Sequence, residues 1–298
     1  MRSVTIKSLL APLLTHPRAT QVIKWTVYTA LVINFGIYIH DDWLAYKNAV
    51  APDAPLSEIF EQFSTTIDMA AWLGLVFLLE LETYALPDVA FKTWVTRTIH
   101  VLRVVCYLSI AYAAYGYTAI AVDYYDLTEL PELTDLCQLA EQGTSLQLDT
   151  VRYERITSGN CGDISAGPPF YRPGQDVSII DVPTLDHVRK LSWVDVVNAY
   201  VWLIVVLLIE VEVRMQSADR FDDRALKPVR QANTAFYGVL IINGFIWLAT
   251  GYPIYAWDAF LWIFGFWAIE LNLAEWEQER MRDFETGSSI IDTHSQTT

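Results

Sequence analysis

The sequence predicts an all-α polytopic membrane protein. Six transmembrane helices are expected as three related hairpins, with a small external insert between the third and fourth helices. Three observations carry this reading. Hydrophobic residues fill 53% of the 298 positions and charged residues only 18%, where soluble domains carry about 25% charged residues. Six stretches are long and apolar enough to cross a hydrocarbon core of about 30 Å. A polar signature recurs in every second stretch. The mean hydropathy of +0.26 and the eleven Trp and sixteen Tyr agree, because these rings favour the headgroup level.

The first stretch, 21–40, ends in His40-Asp41-Asp42, which reads as a solvated helix end. No small-residue cleavage site follows it, so it is expected to remain as a helix. The second covers 64–86 and the third 101–122, the latter free of charge from Val104 to Val122. The fourth covers 192–213. The fifth, 232–252, and the sixth, 254–274, are joined by a tight turn at Gly251-Tyr252-Pro253. The expected division is an N-terminal segment 1–20, helices one to three over 21–122, an external loop domain 123–190, helices four to six over 191–275, and a polar tail 276–298. The tail has no apolar periodicity and is expected to be disordered.

Lys and Arg set the orientation. The N-terminal segment carries Arg2, Lys7, Arg18 and Lys24. The second connection carries Lys92, Arg97 and Arg103. The fourth carries Arg214, Arg220, Arg224, Lys227 and Arg230, and the tail Arg280 and Arg282. That places fourteen bases on one side, against six (Lys47, Arg152, Arg155, Arg172, Arg189, Lys190) on the other. Both termini are therefore expected in the cytoplasm and the protein in a plasma or inner membrane. The insert then lies in an oxidising compartment, where Cys137 and Cys161 are expected to form a disulfide. Cys106 reads as a packed helix residue.

The even-numbered stretches share a pattern. The copies are Asp68, Trp72, Glu80 and Glu82; Asn198, Trp202, Glu210 and Glu212; and Asp258, Trp262, Glu270 and Asn272. Each has Asp or Asn, Trp four residues on, Glu twelve on, and Glu or Asn fourteen on. The odd stretches open with a base (Lys24, Arg103, Arg230) and hold a glycine near the outer half (Gly36, Gly116, Gly244). Three such hairpins predict pseudo-threefold packing.

The even helices pose a physical problem. Twelve residues span about 18 Å of helix, short of the roughly 30 Å core. Asp68 and Glu80 cannot both reach water, nor can Asp258 and Glu270. A charge at the bilayer centre costs about 2.5–3.5 kcal/mol on the insertion scale. These helices are expected inside the bundle, shielded by the odd ones. On a helix Trp72 lies about 40° from Asp68, Glu80 about 120° from Asp68, and Glu82 about 200° from Glu80. Position one of the paired acids is Glu in all copies, so Glu80, Glu210 and Glu270 are the expected inward set.

The expected function is passage of a cation or proton. Glu80, Glu210 and Glu270 would form an inner acidic ring, and Asp68, Asn198 and Asp258 an outer polar layer. Oxygen ligands suit hard cations, and a buried carboxylate takes up a proton. No organic cofactor is expected, and a bound cation is the ligand the acids call for. Expected partners are the lipid bilayer and either a second copy or another membrane protein. The structural alternative pairs Glu80, Glu210 and Glu270 with Lys24, Arg103 and Arg230. The protein would then be a non-transporting scaffold or sensor whose external domain binds a partner. The net charge of −15 argues against nucleic acid. No hydrolase, phosphate-loop or zinc-protease motif is present, so no enzyme is expected.

Overall fold

The computed structural model describes residues 17–81, 93–140, 142–164, 166–174, 176–217 and 223–266. The chain is mostly helical. Helix α1 is Pro17–Ala49. Its 33 residues make it about 50 Å long, so it extends beyond a bilayer core. It runs straight through His40-Asp41-Asp42, which corrects the reading of that trio as a solvated end. Asp42 is buried, and its carboxylate accepts the Thr66 backbone N–H at 2.8 Å.

That bond caps another helix from outside. α2 (Leu56–Gln62) and α3 (Ser64–Glu80) are bent by 66° at Phe63. Ser64 Oγ donates back to the Glu61 carbonyl at 2.5 Å, a local bond that competes with helix continuation. The first-turn N–H groups of α3 need partners, and Asp42 of α1 supplies one.

α4 is Thr93–Asp123, α5 is Val182–Ser217 and α6 is Asp223–Ala249. Gly251 then adopts φ +95°. The Tyr252 N–H reaches Trp247 O at 2.8 Å and the Gly251 N–H reaches Leu248 O at 3.4 Å. This closes α6 in a Schellman motif, and Pro253 opens α7, residues 253–266.

Among the described residues four helices (α1, α4, α5, α6) are long and apolar enough to cross a membrane, and the α2–α3 pair passes the same test only when its two bent pieces are taken together, as a broken span or a re-entrant loop. The far half of the sixth expected span lies outside the described residues, with Glu270 and Asn272. So do Glu82, residues 1–16 and the tail.

α3 packs between α1 and α4, α4 against α5, and α5 against α6. α7 meets α6 through Phe260 and Phe245, with ring centroids 5.5 Å apart. It meets α1 through Tyr255 and Tyr38 at 5.7 Å and through a 2.9 Å bond from Asn34 Nδ2 to Asp258. The core joins Leu31, Trp72, Val205, Leu240 and Trp262 from five helices. Large apolar side chains face outward on α1 (Val32, Ile33), α4 (Val104, Leu108) and α6 (Ile242, Phe245). Apolar surface on this scale suits lipid rather than water, and the chain is an integral membrane protein.

Residues between α4 and α5 form a small β-rich unit. Strands β1 (Leu127–Glu129), β4 (Phe170–Pro173) and β5 (Ile180–Asp181) make one antiparallel sheet. β2 (Ser145–Gln147) and β3 (Tyr153–Arg155) make a hairpin in the register Leu146 to Glu154. The disulfide Cys137–Cys161 is formed, and Cys161 joins Leu136, Leu146, Ile156, Phe170 and Ile179 in a separate core. The unit is tied to α1 by Ser145 Oγ donating to Asn48 at 2.8 Å and by the Val177 N–H donating to Ala49 O at 2.7 Å.

Candidate functional site

In α3, α5 and α7 a polar residue precedes a Trp by four positions, so both lie on one helix face. The structure turns those faces toward each other. The Trp72 ring centroid lies 5.9 Å from Trp202 and 5.9 Å from Trp262. Phe266 packs against all three at 5.4–6.0 Å.

One turn from this aromatic floor sit the outer-layer polar residues. Asp68 accepts from Trp72 Nε1 at 3.0 Å. Asp258 accepts from Asn34 and from the Tyr38 hydroxyl. The Asn198 side-chain oxygen is buried without a hydrogen-bond partner. Further from the floor, Asp195 accepts from Trp247 Nε1 at 3.1 Å and Asp42 from Thr66.

These groups line one cavity of about 400 Å³. Its mouth is formed by Glu58 and Glu61 of α2, Asp123 at the end of α4, and Asp126 and Asp176 of the β-rich unit. Nine carboxylates therefore face the cavity, and no Lys, Arg or His lines it among the described residues. At the mouth, burial together with the nearby Asp123 and Glu58 pushes Asp176 up to about 8. Tyr124 and Tyr153 sit beside it, and burial raises both phenols above their ordinary range.

The other half of the repeated signature behaves differently. Glu80 is paired with Lys24 and accepts from Tyr28 Oη at 2.6 Å. Arg230 pairs with Glu212 at 2.7 Å, and Glu270, the acid the repeat set beside it, lies outside the described residues. Glu210 is exposed, and it lies with Arg103 beside Tyr107. Neither Glu80 nor Glu210 lines the cavity. Of the residues singled out from sequence, Asp68, Asn198 and Asp258 are brought together, whereas Glu80 and Glu210 are not.

Asp195, Tyr38 and Tyr255 belong to the site and were not singled out from sequence, and Asp42, read there as a solvated helix end, belongs to it too. Their signal was spacing. Asp195, Asn198 and Trp202 fall three and four apart, as do Tyr38, Asp42 and Ala45 in a related order, so each set shares a helix face. Among the described residues no three His, Cys, Asp or Glu side chains converge as a metal-holding group. The acids are strung along the depth of the cavity instead. Comparison with protein-family models, with curated proteins and with solved structures returns no match to this chain.

Proposed function

We infer that the chain binds a cation in this cavity and passes it across the membrane, with Asp68, Asp258 and Asn198 as the binding layer. The observation that supports this is a cavity that runs into a membrane bundle and is lined, among the described residues, by nine carboxylates and no base. Isolated negative charge in the membrane costs about 2.5–3.5 kcal/mol per group on the insertion scale. Asp42, Asp68, Asp195 and Asp258 therefore call for a compensating positive charge. The exposed Asp123 and Asp126 at the mouth also raise the local cation concentration. The cytoplasmic-half glutamates act in this reading as helix-pairing groups, with Glu80 on Lys24 and Glu212 on Arg230.

The fuller architecture belongs to the same proposal. Six crossings form three hairpins about a pseudo-threefold axis, with Trp72, Trp202 and Trp262 at the centre. The β-rich unit is external by the distribution of Lys and Arg, so the cavity opens outward. The tryptophan floor closes it toward the cytoplasm, and transport requires that floor to part.

The test is uptake into proteoliposomes. Protein carrying both Asp68→Asn and Asp258→Asn is expected to fold and to lose cation uptake. Undiminished uptake by that variant overturns the proposal. If wild-type protein passes no cation, the scaffold or sensor alternative stands.

A further inference from the structure

We propose that the cavity takes an organic cation, a small alkylammonium ion seated on the tryptophan floor beside the Asp68 and Asp258 carboxylates. This rests on the reading of the cavity as a cation site and names the ligand class.

Three observations favour an alkylammonium over a metal ion. The first is the acid spacing. Ca²⁺ takes six to eight oxygens at about 2.3–2.6 Å, and Mg²⁺ demands a near-octahedral shell. Among the described residues no three ligating side chains converge. The two carboxylates at the floor are each held by protein donors, Asp68 by Trp72 and Asp258 by Asn34. They supply negative charge at fixed positions rather than a closing cage.

The second is the floor. Trp72 is inclined at 61° to Trp202 and at 53° to Trp262. The rings are packed too closely to admit a cation between them. All three indoles line the cavity, and indole π-density is the strongest aromatic partner for a weakly hydrated cation. A strongly hydrated ion would have to shed water for rings that offer no lone pairs.

The third is size. A cavity of about 400 Å³ falls within the roughly 300–1,000 Å³ of small-molecule sites. Asn198 adds a buried carbonyl oxygen without a partner at the same depth, which presents partial negative charge to a cation without adding a further full charge.

The experiment uses the full chain in nanodiscs and proteoliposomes, with radiolabelled tetramethylammonium as probe and radiolabelled Na⁺ as comparator. Saturable tetramethylammonium binding and uptake are expected. Trp262→Leu is expected to weaken binding about tenfold, the scale of a desolvated cation–π contact. Trp262→Phe keeps a ring and is expected to retain most of the affinity, which also reports that the site still folds. If Na⁺ is bound and carried while tetramethylammonium is not, the ligand class is overturned and the cation reading survives. If neither is bound, both fall. Tetramethylammonium binding that is unchanged in Trp262→Leu overturns the floor as its seat.

Discussion

Replacing Gly116 by alanine drives a methyl group into the bend between α2 and α3. The added Cβ would overlap Ser64 Oγ, lie 3.1 Å from Ser64 Cβ and sit 3.6 Å from the Glu61 Cα. Ser64 has little room to yield. It is 1% exposed, and its hydroxyl is bonded to the Glu61 carbonyl. Overpacking of this kind costs roughly 1–3 kcal/mol, and the overlap with a fixed neighbour places Gly116→Ala at the upper end. Better helix propensity returns about 1 kcal/mol, leaving a net loss of roughly 2 kcal/mol. At about 2–4 °C per kcal/mol for larger domains, the midpoint should fall by about 4–8 °C. Ser64→Ala alone gives up a hydrogen bond worth about 0.5–1.5 kcal/mol, but it removes the overlapping oxygen. The double variant should therefore lose less than the sum of the singles, with a coupling of about 1–2 kcal/mol. Thermal unfolding of all four proteins in nanodiscs, followed by far-ultraviolet circular dichroism, reads the cycle. Strict additivity, or a Gly116→Ala protein that melts with the wild type, refutes the close approach of α4 to the bend that carries Glu58 and Glu61.

Three further outcomes are expected. Glu80→Gln removes a partner of Lys24 in a pair whose side chains are 20% and 27% exposed; it should lower stability by roughly 1–2 kcal/mol, between the exposed and buried limits, and leave cation uptake intact, so that lost uptake in a stable variant would place Glu80 on the path. Asp176 holds its proton to about 8 in the folded protein, against 3.8 for an ordinary aspartate. The folded state therefore binds more protons between those values, and the contribution of this group to stability falls as pH rises from about 4 to about 8. Asp176→Asn should raise the melting midpoint at pH 8 and change little at pH 4, and equal shifts at both would contradict the burial of this carboxyl. Breaking Cys137–Cys161, which closes a loop between residues 24 apart, should cost about 3 kcal/mol by loop entropy. Reduced protein should therefore become protease-sensitive between α4 and α5 while the helices persist, and unchanged resistance would contradict the account.

Much of the membrane layout was legible because it rests on composition and length. Uninterrupted apolar runs such as Val104–Val122 leave a chain few alternatives to a helix in lipid. The Asp68–Trp72 contact was legible too, since a spacing of four places both on one face. Legibility failed where one helix satisfies another. Asp42 looks like a wet helix end until Thr66 is seen beside it, and α1, which continues to Ala49, carries that carboxylate to the first turn of α3. The break at Phe63 lies just before an apolar run that reads as one continuous span, and only the Ser64 back-bond marks it. The part each acid layer plays was less legible for a related reason. Repetition of Glu at position one marked Glu80 and Glu210 as special, but repetition serves helix pairing as well as a ligand path. Which acid meets a base is decided by the neighbouring helix, as the pair between Arg230 of α6 and Glu212 of α5 shows.

Thr65 lines the cavity one turn from Asp68, so a thiol placed there reports the potential inside it. Thr65→Cys in a Cys106→Ala background should react with a cationic methanethiosulfonate roughly tenfold or more faster than with an anionic one, in line with field focusing in a charged cleft. The reaction should occur only from the side carrying the Cys137–Cys161 unit, and the preference should shrink at high salt. Equal rates for the two reagents, or a thiol that neither reaches, would contradict a water-filled acidic cavity within the bundle.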